Sequence, residues 1–250
     1  MAKFQSLAEA VSENLKDGDS AAFEGFTHLI PTAAVHEAIR QGRKDLTLIR
    51  MTPDLIYDQM IGMGMARKVI FSYAGNPGVG LLRRLRDAVE NSWPQPLEIE
   101  EHSHAAMANA YEAGAAGLPC AIFRGYRGAE LARVTPNVKS IECPFTGERL
   151  AAVPALRPDV SFIHAQKADR KGNVLVEGIV GIQKEAILAA RRAVASKIYY
   201  GAGLACSRQK VGTLDMKLLS LAERFAHGSD SGADVDTESH WLRLVERTRV

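Results

Sequence analysis

Short apolar runs alternate with helical stretches along most of this chain, and the first such unit constrains the fold most. Ala21-Ala22-Phe23 reads as a buried strand, and Glu24-Gly25-Phe26-Thr27-His28-Leu29-Ile30 as a turn carrying one glycine and polar side chains. Pro31 then opens a helix over Thr32 to Arg40. Strand-to-helix turns of this kind bring backbone N–H groups and polar side chains to the carboxyl edge of a sheet, where ligands bind. A second such turn follows at Tyr73-Ala74-Gly75-Asn76-Pro77-Gly78-Val79-Gly80. Two of them within the first 80 residues predict a small-molecule site.

The alternation continues. Helices are predicted over 6–15, 54–60, 81–92 and 105–116, and strands over 20–23, 45–50, 68–73, 97–101 and 120–123. Short connections and near-continuous apolar strands predict an α/β fold with an open, mainly parallel sheet and helices on both faces. Residues 139–153 depart from that pattern: an extended segment, a turn at Pro144-Phe145-Thr146-Gly147 and a returning strand predict a small antiparallel excursion. A buried strand at 160–165, a turn at 169–173 into a strand at 174–176, and a helix at 185–195 follow. The division predicted is one α/β domain over 1–194 and an atypical, partly helical tail over 195–250, with helices at 214–226 and 241–250 around a polar segment at 227–234.

Charge and composition exclude several roles. The 250 residues are 46% hydrophobic and 24% charged with a net charge of +2, ordinary values for a globular protein with a sizeable core. No basic run is interleaved with aromatics, so nucleic acid is not an expected partner; Arg83, Arg84 and Arg86 read as a solvated helix face. The amino terminus lacks a signal-peptide core, and no apolar run approaches the roughly 20 residues needed to cross a bilayer. A cytoplasmic protein with no membrane partner is the expectation. Cys120, Cys143 and Cys206 lack disulfide or zinc spacing and read as reduced core thiols; no metal is expected.

Among candidate chemical groups, Glu98, Glu100, Glu101, His102 and His104 form the densest titratable cluster. On a strand, Glu100, His102 and His104 share one face, but no third ligand is near, and a polar strand end is the reading preferred. His28, in the first turn, is better placed to touch a substrate. His164 ends a buried strand beside Gln166 at the same kind of edge. His36 falls on the helix after Pro31 and reads as a packing or surface residue. Neither G-x-x-x-x-G-K-[ST] nor G-x-S-x-G occurs. The residues thus outline a sheet-edge site of backbone turns with Thr27, His28 and Asn76, and no complete catalytic machinery.

Several long motifs carry a resemblance. Glu24-Gly25-Phe26-Thr27-His28-Leu29-Ile30-Pro31, Gly75-Asn76-Pro77-Gly78-Val79, Leu97-Glu98-Ile99-Glu100-Glu101-His102-Ser103-His104, Cys143-Pro144-Phe145-Thr146-Gly147-Glu148 and His164-Ala165-Gln166-Lys167-Ala168-Asp169-Arg170-Lys171-Gly172-Asn173-Val174 are similar to those of the alpha subunits of class I, glutaconate-type CoA-transferases. The likeness covers about residues 5–194 and is greatest to the branch acting on 3-oxoadipate. It implies an open α/β sheet, no permanently bound cofactor, a coenzyme A thioester as substrate, and a beta subunit as partner in a heterodimer or heterotetramer. The implied reaction moves CoA from succinyl-CoA to 3-oxoadipate or a similar dicarboxylic acid, through a glutamyl-CoA thioester on the beta subunit. It further implies that Gly25, Phe26, Thr27 and His28 line the acid pocket, that Asn76, Gly78 and Val79 face the partner's glutamate, and that His104 and Gln166 border the substrate. Many family members carry glycine where this chain has Glu24. Hydrolase relatives use an alpha-subunit glutamate where this chain has His104, which favours transfer over hydrolysis. Two alternatives stay open: a CoA-ester hydrolase of the same fold, and a non-catalytic ligand-binding domain. Residues 195–250 match nothing in the family, as a shifted reading frame would produce.

Overall fold

The strand that matters most, β2 (Ser20–Phe23), lies in the middle of a sheet, where both of its faces are covered. The computed structural model describes residues 3–76, 80–168, 173–197, 210–214 and 239–243. The first half runs β1 (Lys3–Gln5), α1 (Leu7–Asn14), β2, α2 (Thr32–Arg40), β3 (Leu46–Ile49), α3 (Leu55–Gly62), β4 (Ala66–Phe71), α4 (Arg83–Asn91), β5 (Glu98–Glu101) and α5 (His104–Ala115). A smaller unit follows: β6 (Cys120–Phe123), α6 (Leu131–Val134), β7 (Lys139–Glu142) and β8 (Arg149–Pro154). The chain then adds β9 (Val160–Ala165), β10 (Lys167–Ala168), β11 (Asn173–Glu177), α7 (Gln183–Ala189), β12 (Arg192–Lys197), β13 (Lys210–Leu214) and β14 (Ser239–Arg243).

The main sheet has the order β1-β13-β12-β9-β2-β3-β4-β5. From β12 to β5 all pairs are parallel, and β13 and β1 close the far edge antiparallel. Alternation along the strands assigns each side chain to one of two cores. Ala21, Phe23, Leu48, Val69 and Phe162 pack against α1 to α4 on one face. Ala22, Ile49 and Ile70 pack against Met107 and Tyr111 of α5 and Ala186 of α7 on the other. This is the three-layer arrangement expected from apolar runs on parallel strands.

Strand order reverses between β2 and β9. The chain steps outward from β2 through β3, β4 and β5, returns to place β9 on the other side of β2, and steps outward again to β12. Phe23 and Phe162 are register partners there and stack at 4.8 Å with an interplanar angle of 8°. Such a ring pair contributes about 0.5–1.5 kcal/mol beyond its buried area, so the reversal point is firmly held. A reversal of this kind opens a crevice at the carboxyl ends of the two strands.

Side-chain caps explain three of the helix starts. Ser6 and Glu9 form a reciprocal capping box at α1, Asp54 caps α3 and Ser103 caps α5.

Several expectations are corrected. Cys120–Phe123 lies outside the parallel sheet: it pairs antiparallel with β8, in the three-stranded sheet β6-β8-β7 that also holds the expected 139–153 hairpin. The helix expected over 185–195 stops at Ala189, and Arg192–Lys197 is a strand beside β9. Alanine-rich sequence there favours helix, but Ala193, Val194 and Ala195 are fully or almost fully buried against the sheet, and tertiary pairing overrides propensity. Cys120 and Cys143 are free thiols but half-buried, not core; Cys206 lies outside the described residues. In the tail, residues 210–214 and 239–243 are strands, and a helix beginning at Trp241 is not formed because that residue pairs with Leu175 of β11. The remaining tail positions and the turn at 169–172 lie outside the described residues.

Candidate active site

At the end of β2 the chain must leave a buried strand for a helix within eight residues. Glu24 and Gly25 are buried, and Leu29 is fully enclosed among Ile163, Ala165, Val174, Val176 and Ile187. Enclosing a leucine contributes about 1.5–3 kcal/mol, and this anchor drives the intervening residues outward as a 3₁₀ turn over Thr27–Leu29. Thr27 has a φ of 50°, costly for a β-branched residue. Thr27 and His28 are both exposed. Gly25, at φ 153°, has no room for a side chain: a Cβ there would lie 2.1 Å from the Leu29 carbonyl oxygen. Among the described residues the backbone N–H groups of Gly25, Phe26 and Thr27 have no hydrogen-bond partner, which leaves three consecutive donors at the sheet edge.

His28 is oriented from both sides. Its Nε2 lies 3.0 Å from the Glu177 backbone oxygen, an obligate acceptor, so Nε2 carries the proton. Its Nδ1 lies 3.2 Å from Thr27 Oγ1, which donates to it in the neutral ring. Gln166 reaches the same carbonyl: Nε2 donates to Glu177 O at 3.0 Å, and Oε1 accepts from Glu177 N at 2.9 Å. The turn after Glu177 closes over the first turn. Gly178 at φ 113° would place a Cβ 2.6 Å from His28 Cε1, and Gly181 at φ 56° would place one 2.3 Å from the Phe26 ring. The carboxyl ends of β2 and β9, with the end of β11, therefore meet at His28, Gln166 and Glu177.

A buried polar network supports this edge from beneath. Glu24 Oε1 accepts from Met51 N at 2.9 Å and from Tyr111 OH at 3.0 Å. Burial pushes its carboxyl up from the ordinary range, against the opposing pull of the Arg50 cation and those two donors. Arg50 is itself buried: it grips Asp54 through two contacts of 2.9 Å, donates to Gly25 O at 2.7 Å, and sits 5.4 Å from the Tyr57 ring centre. Gln183, fully buried, directs Nε2 at Glu24 O at 3.2 Å. His164 faces inward instead of lining the edge. Its Nδ1 lies 3.1 Å from Ser196 Oγ, whose hydroxyl donates to Ile163 O. Burial, with His28 nearby, holds its pKa below the ordinary value.

The other sequence candidates are not drawn into this cluster. Asn76 follows β4, two strands or about 10 Å along the edge from β2, where it bridges Gly80; Gly75 N is tied to Pro53 O at 3.1 Å. Gly78 and Val79 lie outside the described residues. His104 does not share a strand face with Glu100 and His102, because β5 ends at Glu101 and His104 is the first residue of α5, exposed to solvent. Glu100 accepts from His102 Nε2 and Asn137 Nδ2, each at 2.8 Å, and pairs with Lys68 at 2.8 Å. These partners, the His102 hydrogen bond first, lower its pKa to about 2. That cluster is a structural ion network, and no group of three or more potential metal ligands occurs among the described residues. His36 sits on the exposed side of α2, 3.0 Å from Gln59 Oε1.

Glu177, Gly178, Gly181 and Gln183 belong to this edge without a motif that marks them in the sequence. The only local signal was a pair of glycines after an apolar strand, which reads as an ordinary turn.

The profile described as coenzyme A transferase matches residues 4–198. The A-type subunit of the 3-oxoadipate CoA-transferase of Pseudomonas knackmussii is 66% identical over 194 residues, 78% of this chain and 69% of that protein. The crystal structure of glutaconate coenzyme A-transferase from Acidaminococcus fermentans aligns at a TM-score of 0.71 and 31% identity, over 77% of this chain and 66% of that one. A variant of the AibA/AibB decarboxylase aligns at a TM-score of 0.68 and 30% identity, over 82% of this chain and 78% of that one. The chain thus spans about two thirds of the length of the first two. The profile match, the identity and the switch-point architecture agree: this chain belongs to the coenzyme A transferase family, among its alpha, or A-type, subunits.

Proposed function

We propose that this chain is the alpha subunit of an enzyme that moves CoA from succinyl-CoA to 3-oxoadipate or a similar dicarboxylic acid, in partnership with a beta subunit that carries the reacting glutamate. One observation carries the reading. The crevice edge offers three backbone donors unpaired among the described residues, with His28 oriented beside them, while Glu24 beneath is buried and already bonded and the half-buried Asp54 is tied to Arg50. Donors of this kind suit a substrate carboxylate or a developing oxyanion; a saturated, buried acid does not suit attack on a thioester.

In this scheme the partner's glutamate carboxylate attacks the succinyl-CoA carbonyl and expels CoA thiolate, leaving a mixed anhydride. The thiolate attacks the glutamyl carbonyl and releases succinate. The acceptor carboxylate then displaces the thiolate from the glutamyl thioester, and the thiolate returns to the acceptor's acyl carbon, regenerating the glutamate. Splitting one exchange into these steps lowers each barrier. Gly25, Phe26, Thr27 and His28 hold the acid, Gln166 keeps His28 in register through Glu177 O, and Asn76 with Gly78 and Val79 faces the partner. His104, exposed at the start of α5, stands where hydrolase relatives carry a glutamate, and so favours transfer.

The test is co-purification of the chain with its beta subunit, incubation with succinyl-CoA, and mass-spectrometric location of the thioester. A thioester on the beta subunit with product formed only when an acid acceptor is supplied supports the proposal. An adduct on this chain, or CoA release to water at the same rate without acceptor, overturns it.

A further inference from the structure

A concavity lies on the small antiparallel sheet, next to the carboxyl edge but lined by none of the residues around His28. It has a volume of about 590 Å³ and lies between α6 and the β6-β8-β7 sheet, within the size range of sites that hold small molecules. Arg127, Lys139 and Arg149 line it, and no acidic residue does. All three cations are exposed. Arg127 and Arg124 share one carboxylate, Glu148, at 2.7 and 2.9 Å, so that trio keeps a net positive charge. Lys139 and Arg149 form no ion pair among the described residues.

The turn at the rim is built for anions as well. Tyr126 and Gly128 both have positive φ, 61° and 69°, and among the described residues the N–H groups of Tyr126, Arg127 and Gly128 have no hydrogen-bond partner. Successive free N–H groups in such a turn form an anion-binding nest. The turn is fixed to the main sheet: Tyr126 OH accepts from Ser103 N at 2.9 Å and donates toward His102 Nδ1 at 3.3 Å, just beyond β5. β5 lies three strands from β2, or about 14 Å at the usual strand spacing. Through Tyr126 the basic hollow therefore adjoins the β5 end of the same sheet edge that carries the His28 turn.

We infer that this hollow holds the phosphate-bearing end of the coenzyme A thioester, through Arg127, Lys139, Arg149 and the 126–128 turn; the inference rests on the transferase reading above. Coenzyme A carries its phosphates at the far end of a flexible pantetheine arm from its sulfur, so a phosphate site on the same edge need not adjoin the reacting centre.

Calorimetric binding to the assembled two-subunit enzyme tests this, with coenzyme A, 3′-dephospho-coenzyme A and pantetheine as probes. Arg149→Gln and Lys139→Gln, both at exposed positions, are each expected to weaken coenzyme A by about tenfold, in line with loss of one charge-assisted contact. The loss should shrink at high salt and be absent for pantetheine, which has no phosphates. Unchanged coenzyme A affinity in both variants overturns the inference, as does an equal loss for pantetheine or a failure of the variants to assemble. Wild-type enzyme that transfers CoA while the variants bind it normally sinks this inference alone. Wild-type enzyme that binds no coenzyme A sinks the transferase reading with it.

Discussion

His28 Nε2 hydrogen-bonds the backbone carbonyl of Glu177 at 3.0 Å, across 149 residues of sequence. The contact joins the turn after β2 to the end of β11, fixes the imidazole tautomer, and leaves the ring at an exposed edge. Replacing His28 with alanine removes an exposed side chain and no core contact. Folding and assembly should be unchanged, while kcat/KM for transfer falls on the order of a hundredfold, as for an acid no longer held in position beside the backbone donors. Steady-state kinetics alongside size-exclusion chromatography decide it; wild-type kinetics would remove His28 from the site.

Gly25 and Gly42 both have positive φ, at 153° and 64°, but only Gly25 faces a collision. Gly25→Ala must displace the Leu29 carbonyl and with it the 3₁₀ turn, so a loss of at least about 2–3 kcal/mol is expected. Gly42→Ala meets open space and should cost only about 1 kcal/mol, for backbone strain alone. Urea unfolding of the two variants side by side measures the difference; equal losses would show that the turn gives way freely.

Glu24 serves mainly as a hydrogen-bond acceptor. Glu24→Gln keeps an oxygen for Met51 N and Tyr111 OH, and should alter stability by less than about 1 kcal/mol. Glu24→Ala strands both donors in the core and should cost about 2–5 kcal/mol. Thermal melts of the two variants test this, and a Gln variant as unstable as the Ala one would mean that the charge itself is needed beside Arg50.

Glu100 has its pKa lowered from 4.5 to about 2 by His102, Asn137 and Lys68. For a depressed acid the native state binds the proton more weakly than the unfolded chain. Its stabilisation is therefore full above pH 4.5 and is lost as pH falls from 4.5 toward 2. Glu100→Gln should be less stable than wild type at pH 6 and converge on it near pH 2. Denaturant midpoints across that range check the sign; parallel curves would dissociate the group from acid lability.

Where a local physical cause sufficed, the chain was legible as written. Apolar runs marked β2 to β4 and β9, alternation marked β5, Pro31 placed the start of α2, and the hairpin around Gly147 announced the small sheet. The His28 turn could be singled out because a glycine, polar side chains and a helix-opening proline after an apolar strand have few other uses. Tertiary pairing corrected the rest. Arg192–Lys197 became a strand because β9 offered a buried parallel partner, and β6 left the parallel sheet because β8 offered an antiparallel one.

Sequence alone therefore determined the layers, the glycine turn after β2 and the family likeness, since these follow from periodicity, turn chemistry and motif. Only the tertiary structure decided that strand order reverses between β2 and β9, that His28 meets Glu177 and Gln166, and that His104 stands apart. Those facts depend on which distant segments share a sheet edge, and on donors and acceptors that find each other only after the strands have been ordered.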